Sequence, residues 1–203
     1  MRESGSPAKQ DLILKAAAEV FSTRGFHGAR IEEIARQAGV GKGTVYEYFK
    51  SKEHLFSETL KAGMEKFNQR LLEETGRHDC AREKLASFAL LHILFGKRYR
   101  SMARMAMLGT LPLDESFRKR VRQLHAQRLE MIENIVKEGI AGGEIRPVDP
   151  FLAANLFYGG VGLIAGPFVE LAPAEIERSV ERIIDYFFRG IAARDTEFVP
   201  PVV

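Results

Sequence analysis

The sequence has few features of a disulfide-bonded or secreted protein. Cys80 is the only cysteine in 203 residues, so no disulfide can form within the chain. The first ten residues, MRESGSPAKQ, lack the apolar stretch of a secretory signal. We therefore expect a cytoplasmic protein, because the cytoplasm keeps thiols reduced.

An excess of charge of one sign is also missing. The chain carries 30 Lys and Arg residues against 27 Asp and Glu residues, a formal net charge of +3. This balance permits a polyanionic partner such as DNA but does not require one. Positive charge is denser over 97–128. That pattern fits either the solvated faces of two helices or a patch that handles an anion.

No segment has the composition of a membrane span. The segment 151–169 has 19 residues without a charge, which is long enough to cross a bilayer. However, it contains Asn155, Tyr158, Pro167 and several glycines, which dilute its hydrophobicity. A helix that is apolar all round is also what a soluble protein buries in its core or at an oligomer interface. We therefore predict a buried or interfacial helix and no membrane contact.

Motifs for catalysis and metal binding are absent too. The five histidines show neither an HExxH motif nor a paired metal-ligand spacing. The string GVGKGT at 39–44 invites comparison with a phosphate-binding loop, but the distance from its first glycine to Gly-Lys-Thr is too short. No nucleophile elbow occurs. We predict a protein that is not an enzyme, with no catalytic residue, no metal site and no cofactor.

Helical periodicity dominates the chain. Apolar residues recur three and four positions apart, which is the spacing of one helix face. This pattern covers 11–23, 31–38, 42–49, a long segment after Ser51, 82–95, 99–108, 115–140, 150–170 and 174–193. Glycine and proline separate these segments, with one break predicted at Gly96. Because no segment alternates with period two, the predicted fold class is all-α.

The segment 31–49, IEEIARQAGVGKGTVYEYF, has the spacing of a helix-turn-helix motif. Ile34, Ala35, Val45 and Phe49 would face inward, and Gly39 would supply the left-handed backbone of the turn. The outer face of the second helix would then enter a DNA major groove, with its N-terminal residues toward the base edges. The candidate DNA-contacting residues on this face are Lys42, Gly43, Thr44, Tyr46 and Tyr48, and Arg30 adds positive charge nearby.

The chain resembles the TetR/AcrR family of bacterial transcriptional regulators. The resemblance rests on AAAEVFSTRGF at 16–26 and IEEIARQAGVGKGTVYEYFKSKEHLF at 31–56. It implies that Lys42, Gly43 and Thr44 meet base edges, while Tyr46 and Lys52 meet the DNA backbone. Where the family often has a threonine, this chain has Ala29, which predicts fewer phosphate contacts.

The same resemblance implies two domains and a homodimer. A three-helix helix-turn-helix DNA-binding domain would span 1–52, with a disordered tail over about 1–8. A larger helical domain for ligand binding and dimerisation would span 53–203, and about 150–193 would form the dimer interface. The helix that starts after Ser51 would connect the two domains.

We expect a ligand-responsive, sequence-specific regulator, a repressor that an apolar or amphipathic small molecule releases from a palindromic operator. The alternative is a protein that binds or sequesters a small molecule and whose DNA-binding domain no longer recognises DNA. The aromatic residues and a methionine of the larger domain are candidates for the ligand pocket, although the same residues suit an ordinary core. The candidates are Phe88, His92, Phe95, Met105, Phe157 and Tyr158.

Overall fold

The computed structural model describes residues 7–107 and 115–190. Within these ranges the chain forms nine helices and no strand, which confirms the predicted all-α fold. The helices are α1 (Pro7–Gly28), α2 (Ile31–Ala38), α3 (Lys42–Tyr48), α4 (Lys52–Thr75), α5 (Ala81–Arg98), α6 (Arg100–Met107), α7 (Glu115–Ala141), α8 (Pro150–Ala165) and α9 (Pro173–Arg189). Of the predicted N-terminal tail, residues 1–6 lie outside the described residues.

One hydrophobic cluster, the N-terminal core, lies among α1, α2, α3 and the start of α4. Phe21 and Phe56 are fully buried at its centre, with their rings edge to face at 5.0 Å. Ile34, Val45 and Phe49 are buried in the same cluster, as their inward-facing positions in the motif predict. Apolar burial of this kind is what holds such short helices together, because α2 and α3 are too short to be stable alone.

The second cluster, the C-terminal core, lies among α4, α5, α7, α8 and α9. α5 is its central helix, since it packs against α4, α7, α8 and α9. Leu85 and Phe88 of α5 are fully buried there. α4 contributes to both cores, so one continuous helix joins them, as the sequence predicts.

A second connection between the two cores is α6, which the sequence pattern did not single out. Met102 of α6 is 2% exposed and belongs to the N-terminal core, although it follows α5 in the chain. α6 packs against α1, and the Ser101 hydroxyl donates to the carbonyl oxygen of Ser22 at 3.4 Å. The two cores are therefore connected through α6 as well as α4.

The predicted break at Gly96 is wrong, because this glycine lies inside α5. A Cβ at Gly96 would lie 2.2 Å from the carbonyl oxygen of Ala165 in α8. Close approach of two helices, and not a turn, therefore explains this glycine. A conformational interruption occurs instead at Gly25, where φ is 67° and ψ is 173° and α1 kinks.

α8 ends at Ala165 and therefore does not extend to the end of the uncharged segment 151–169. The Lys97 ammonium group donates to the carbonyl oxygens of Ile164 at 2.6 Å and Val169 at 2.7 Å, and so satisfies carbonyls at the end of the helix. In the two described ranges, no helix combines the length and hydrophobicity needed to cross a membrane.

Candidate DNA-binding surface and effector cavity

The turn between α2 and α3 is built from two glycines. Gly39 adopts the left-handed conformation, with φ of 69° and ψ of 30°, and the following amide of Val40 donates to the carbonyl oxygen of Ala35 at 3.0 Å. Gly41 then precedes α3 in an extended conformation and accepts from the Val45 amide at 3.3 Å. This arrangement is that of a helix-turn-helix motif, with Gly39 in its predicted role.

The N-terminal part of α3 carries an exposed surface suited to DNA. Lys42, Gly43 and Tyr46 are exposed and Thr44 is half-buried. The Lys42 ammonium group lies 2.6 Å from a carboxylate oxygen of Glu32 in α2. The hydrogen bond between them raises the pKa of Lys42 and lowers the pKa of Glu32. The Glu32 carboxylate therefore lies on the same surface as Lys42, the principal candidate for contact with a base.

Three of the predicted DNA-contacting residues have surroundings that the sequence did not reveal. Tyr48 is half-buried and packs against the N-terminal core, so it is not on the open outer face predicted for it. The Lys52 ammonium group lies 3.4 Å from the carbonyl oxygen of His27 and 4.6 Å from the centre of the Phe26 ring. Arg30 is exposed at the N-cap of α2 and makes no side-chain capping bond.

Two adjoining cavities lie where the two cores meet. The first, which we call the outer cavity, has a volume of about 380 Å³ and is lined from α1, α4 and α5. The second, the inner cavity, has a volume of about 300 Å³ and is lined mainly by apolar residues of α1, α4, α5, α6 and α7. Both cavities are lined by Ala18, Thr59, Gly63, Phe95 and Tyr99.

The outer cavity combines an apolar wall with a strongly cationic rim. Phe67 and Phe95 stack with ring centres 4.1 Å apart and form part of the wall. Four exposed cations line the cavity, and no aspartate or glutamate is among its described lining residues. In the described part of the chain none of these four cations has an acidic partner within 4.0 Å. They are Lys15, Lys66, Arg70 and Arg98.

The predicted ligand-pocket residues divide between these cavities and the core. Phe95 lines both cavities. Phe88, Phe157 and Tyr158 are buried in the C-terminal core and line neither cavity, so the core interpretation describes them better. His92 packs between the rings of Phe67 and Phe88. The side chain of Met105 lies outside the described residues.

Comparison with known proteins gives two family matches in separate parts of the chain. The family described as bacterial regulatory proteins, tetR family, matches residues 13–59, and the tetracyclin repressor-like C-terminal domain matches residues 78–191. The chain belongs to the TetR family. It is a ligand-responsive, DNA-binding transcriptional repressor.

Several TetR-family relatives cover most of the chain. The fatty acid metabolism regulator protein of Bacillus subtilis is 31% identical over 150 residues, which cover 73% of this chain and 77% of that protein. The transcriptional repressor NicS of Pseudomonas putida is 33% identical over 154 residues, which cover 71% and 72%. These relatives are transcriptional regulators.

The fold also matches solved structures. The transcriptional regulator FadR from Bacillus subtilis in complex with stearoyl-CoA has a TM-score of 0.68 and 27% identity, and the match covers 90% of this chain and 99% of that one. AibR in complex with isovaleryl coenzyme A and operator DNA has a TM-score of 0.62 and 24% identity, with 89% and 98% covered. The second match supports the TetR fold alone.

The basic region 97–128 of this TetR-family chain is mostly engaged within the protein. Lys97 satisfies the end of α8, and burial followed by the charge of Arg100 lowers the pKa of Lys97. Arg100 pairs with Glu170 at 2.8 Å, and Arg120 pairs with Glu65 at 2.7 Å. Of this region, Arg98 at the end of α5 belongs to the cationic rim, together with Lys15 of α1 and with Lys66 and Arg70 of α4. The sequence did not identify the whole rim, because its members are distant in the chain.

Proposed function

We propose that the effector of this TetR-family repressor is an anionic amphiphile of the acyl-CoA class. The observation that carries the proposal is the outer cavity, in which an apolar wall lies beside four cations without a partner acid in the described residues. Phosphate groups of the effector would bind at the cationic rim, because guanidinium and ammonium groups are strong partners for phosphate oxygens. The acyl chain would enter the apolar wall and the adjoining inner cavity.

One solved relative supports this class of effector. The Bacillus subtilis FadR structure, 27% identical to this chain, contains stearoyl-CoA. This ligand combines a highly charged nucleotide portion with an apolar acyl group. A cavity with one cationic side and one apolar side suits that combination.

Effector binding would act on DNA binding through α1 and Tyr99. α1 belongs to the DNA-binding domain, yet its residues Leu14, Lys15 and Ala18 line the outer cavity. Tyr99 lines both cavities and also packs against the N-terminal core. A ligand that prefers a wider separation of α1 from α5 would shift the DNA-binding domain and weaken operator binding by its differential affinity.

DNA recognition would use the exposed N-terminal part of α3. Lys42 and Thr44 would contact base edges, Gly43 would allow the close approach of the backbone, and Tyr46 would hold a phosphate. Arg30 and Lys52 would contact the DNA backbone on either side. Lys42 would exchange its bond to Glu32 for a bond to DNA.

Dimerisation is expected for the TetR family, and we propose that the interface lies on α8 and α9. The outer face of α8 exposes Leu152 by 55%, Leu156 by 67% and Leu163 by 75%. Gly159 and Gly160 lie on the same helix, with nothing within 4 Å of an added Cβ, so a second helix could approach closely. Tyr186 extends the apolar surface onto α9. A second copy of the chain would cover it.

The effector is tested by release of operator DNA in fluorescence anisotropy. DNA from beside the gene serves as the operator probe, with random duplex as competitor. We expect palmitoyl-CoA to release the DNA and CoA alone or palmitate alone to do so far less. Replacing Lys66, Arg70 and Arg98 with glutamine should weaken the response. Each single replacement is compared with Lys137→Gln, the loss of one exposed cation on α7 outside both cavities, which should leave the response unchanged. Equal responses to palmitate and palmitoyl-CoA would contradict a role for the cationic rim.

The interface is tested by sedimentation. Leu156→Glu combined with Leu163→Glu should convert the dimer to a monomer and weaken binding to a palindromic operator. Leu72→Glu is the control, because Leu72 is 58% exposed on α4. A dimer that survives the double substitution would place the interface elsewhere.

A further inference from the structure

Arg128 of α7 is a buried cation without an acidic partner. Its residue exposure is 9%, and in the described parts of the chain no carboxylate lies within 4.0 Å of it. Its Nε donates to the side-chain oxygen of Asn68 at 2.5 Å, and its Nη1 lies 3.5 Å from the Tyr158 hydroxyl. Its Nη2 is buried and has no hydrogen-bond partner among the residues of 7–107 and 115–190. A buried charge in this state is costly unless a ligand completes its bonds.

A second buried atom without a partner in the described ranges is the ring nitrogen Nδ1 of His92 in α5. The ring lies between aromatic rings, with centroid distances of 5.5 Å to Phe67, 5.6 Å to Phe88 and 5.4 Å to Tyr158. Burial, followed by the charge of Arg128, lowers the pKa of His92 to about 3. The imidazole is therefore neutral near pH 7 and has one donor and one acceptor nitrogen.

The two unpartnered groups belong to one polar centre, which Phe67 separates from the outer cavity. Tyr158 contacts both of them, through its hydroxyl to Arg128 and through its ring to His92. The Arg128 guanidinium lies 5.1 Å from the centre of the Phe67 ring. Phe67 in turn lines the outer cavity and stacks on Phe95. Rotation of the Phe67 side chain would therefore connect the cavity to the polar centre.

We propose that Arg128, His92 and Tyr158 form a subsite for a carboxylate on the acyl portion of the effector. A carboxylate would accept from Nη1 and Nη2 of the guanidinium in the bidentate geometry that arginine favours, and the Tyr158 hydroxyl would donate as well. A purely alkyl chain would leave the guanidinium desolvated and unpaired. The inference rests on the proposed acyl-CoA class and narrows it to acyl groups that end in a carboxylate.

The test compares two thioesters of equal chain length, decanoyl-CoA and the mono-CoA thioester of sebacic acid. Isothermal calorimetry with the full chain should show at least tenfold tighter binding of the carboxylated thioester. Arg128→Met should abolish this preference, because the carboxylated thioester would lose its guanidinium partner. Arg122→Met is the matched control, since Arg122 is an exposed arginine on the same helix that pairs with Glu115. Tighter binding of decanoyl-CoA by the wild type would overturn the subsite.

A second measurement tests the carboxylate subsite independently of the proposal that the effector is an acyl-CoA. Free sebacate is titrated into the wild-type protein while the His92 ring signal is followed by NMR and the unfolding midpoint is recorded. A shifted ring signal and a raised midpoint, both absent in Arg128→Met, would support the subsite even if neither thioester binds and the acyl-CoA proposal fails. No change with sebacate and no preference between the thioesters would overturn the subsite and leave the acyl-CoA proposal standing.

Discussion

Replacing Gly96 with alanine tests the close contact between α5 and α8. The added Cβ would lie 2.2 Å from the carbonyl oxygen of Ala165 and 2.9 Å from its carbonyl carbon. Both are backbone atoms, so a side-chain rotation cannot relieve the overlap. α8 would have to move by about 1 Å to restore ordinary contact, against its packing on α7 and α9.

The size of the effect follows from two opposing contributions. Alanine favours a helix over glycine by about 1 kcal/mol, whereas forcing an extra methyl group into a packed contact typically costs about 1–3 kcal/mol. Because the clash is with backbone, we expect the upper part of that range, about 2–3 kcal/mol, and so a net loss of about 1–2 kcal/mol. For a chain of this size that corresponds to a fall in Tm of roughly 2–8 °C.

The assay is urea and thermal unfolding of both variants at one protein concentration, because dimerisation makes the midpoint depend on concentration. Gly63→Ala is the matched control, since Gly63 is also helical and an added Cβ there has nothing within 4 Å. It should be as stable as the wild type or up to about 1 kcal/mol more stable. Equal stabilities for the Gly96 and Gly63 variants would refute the close contact.

Three further predictions concern the DNA-binding surface and the buried histidine. Glu32→Gln should raise operator affinity, most strongly at low salt, because it removes a carboxylate 2.6 Å from Lys42. Gly43→Ala should stabilise α3 by up to about 1 kcal/mol while weakening operator binding, because the methyl group lies in open space that DNA would occupy. The pKa of His92 is about 3 in the folded protein, against an ordinary value of 6.5. The free energy of unfolding should therefore fall by about 1.4 kcal/mol per pH unit as the pH drops from 6.5 toward 3.

Each of these predictions has a control variant or an outcome that would contradict it. Glu33→Gln removes a neighbouring carboxylate that pairs with Arg24 at 3.6 Å, and it should change affinity less. Unchanged operator binding by the Gly43 variant would show that this glycine is remote from DNA. For His92, the unfolded state binds a proton in this pH window while the folded state does not, which gives the stated sign. His92→Phe should flatten the acid dependence of unfolding, and an unaltered slope would assign it to other groups.

The helix-turn-helix segment of the DNA-binding domain was largely predictable because its determinants are local. Residues 31–49 contain both short helices, the left-handed Gly39 and the buried faces, all within a few turns of chain. Tyr48 was the exception. Its position on α3 allowed either face, and only contact with the N-terminal core shows that it is half-buried.

The cavity and its rim were less predictable because they assemble residues from distant segments. Lys15, Lys66 and Arg98 belong to α1, α4 and α5, and nothing in their local sequence relates them. Aromatic residues of α5 and α8 suited a pocket or a core equally well, since both environments are apolar. Packing decided that Phe95 lines the cavities while Phe88 and Phe157 fill the core.

The sequence by itself determined the all-α fold, the helix-turn-helix motif and the family, because these depend on periodicity, glycine positions and short motifs that each segment carries alone. Tertiary structure alone decided that Gly96 marks a helix crossing and that α6 joins the N-terminal core. It also decided that Arg128 is buried in the same polar centre as His92, with no carboxylate from the described residues beside it. These features depend on distances between helices. Such distances follow from the packing of the entire chain, which local periodicity does not specify.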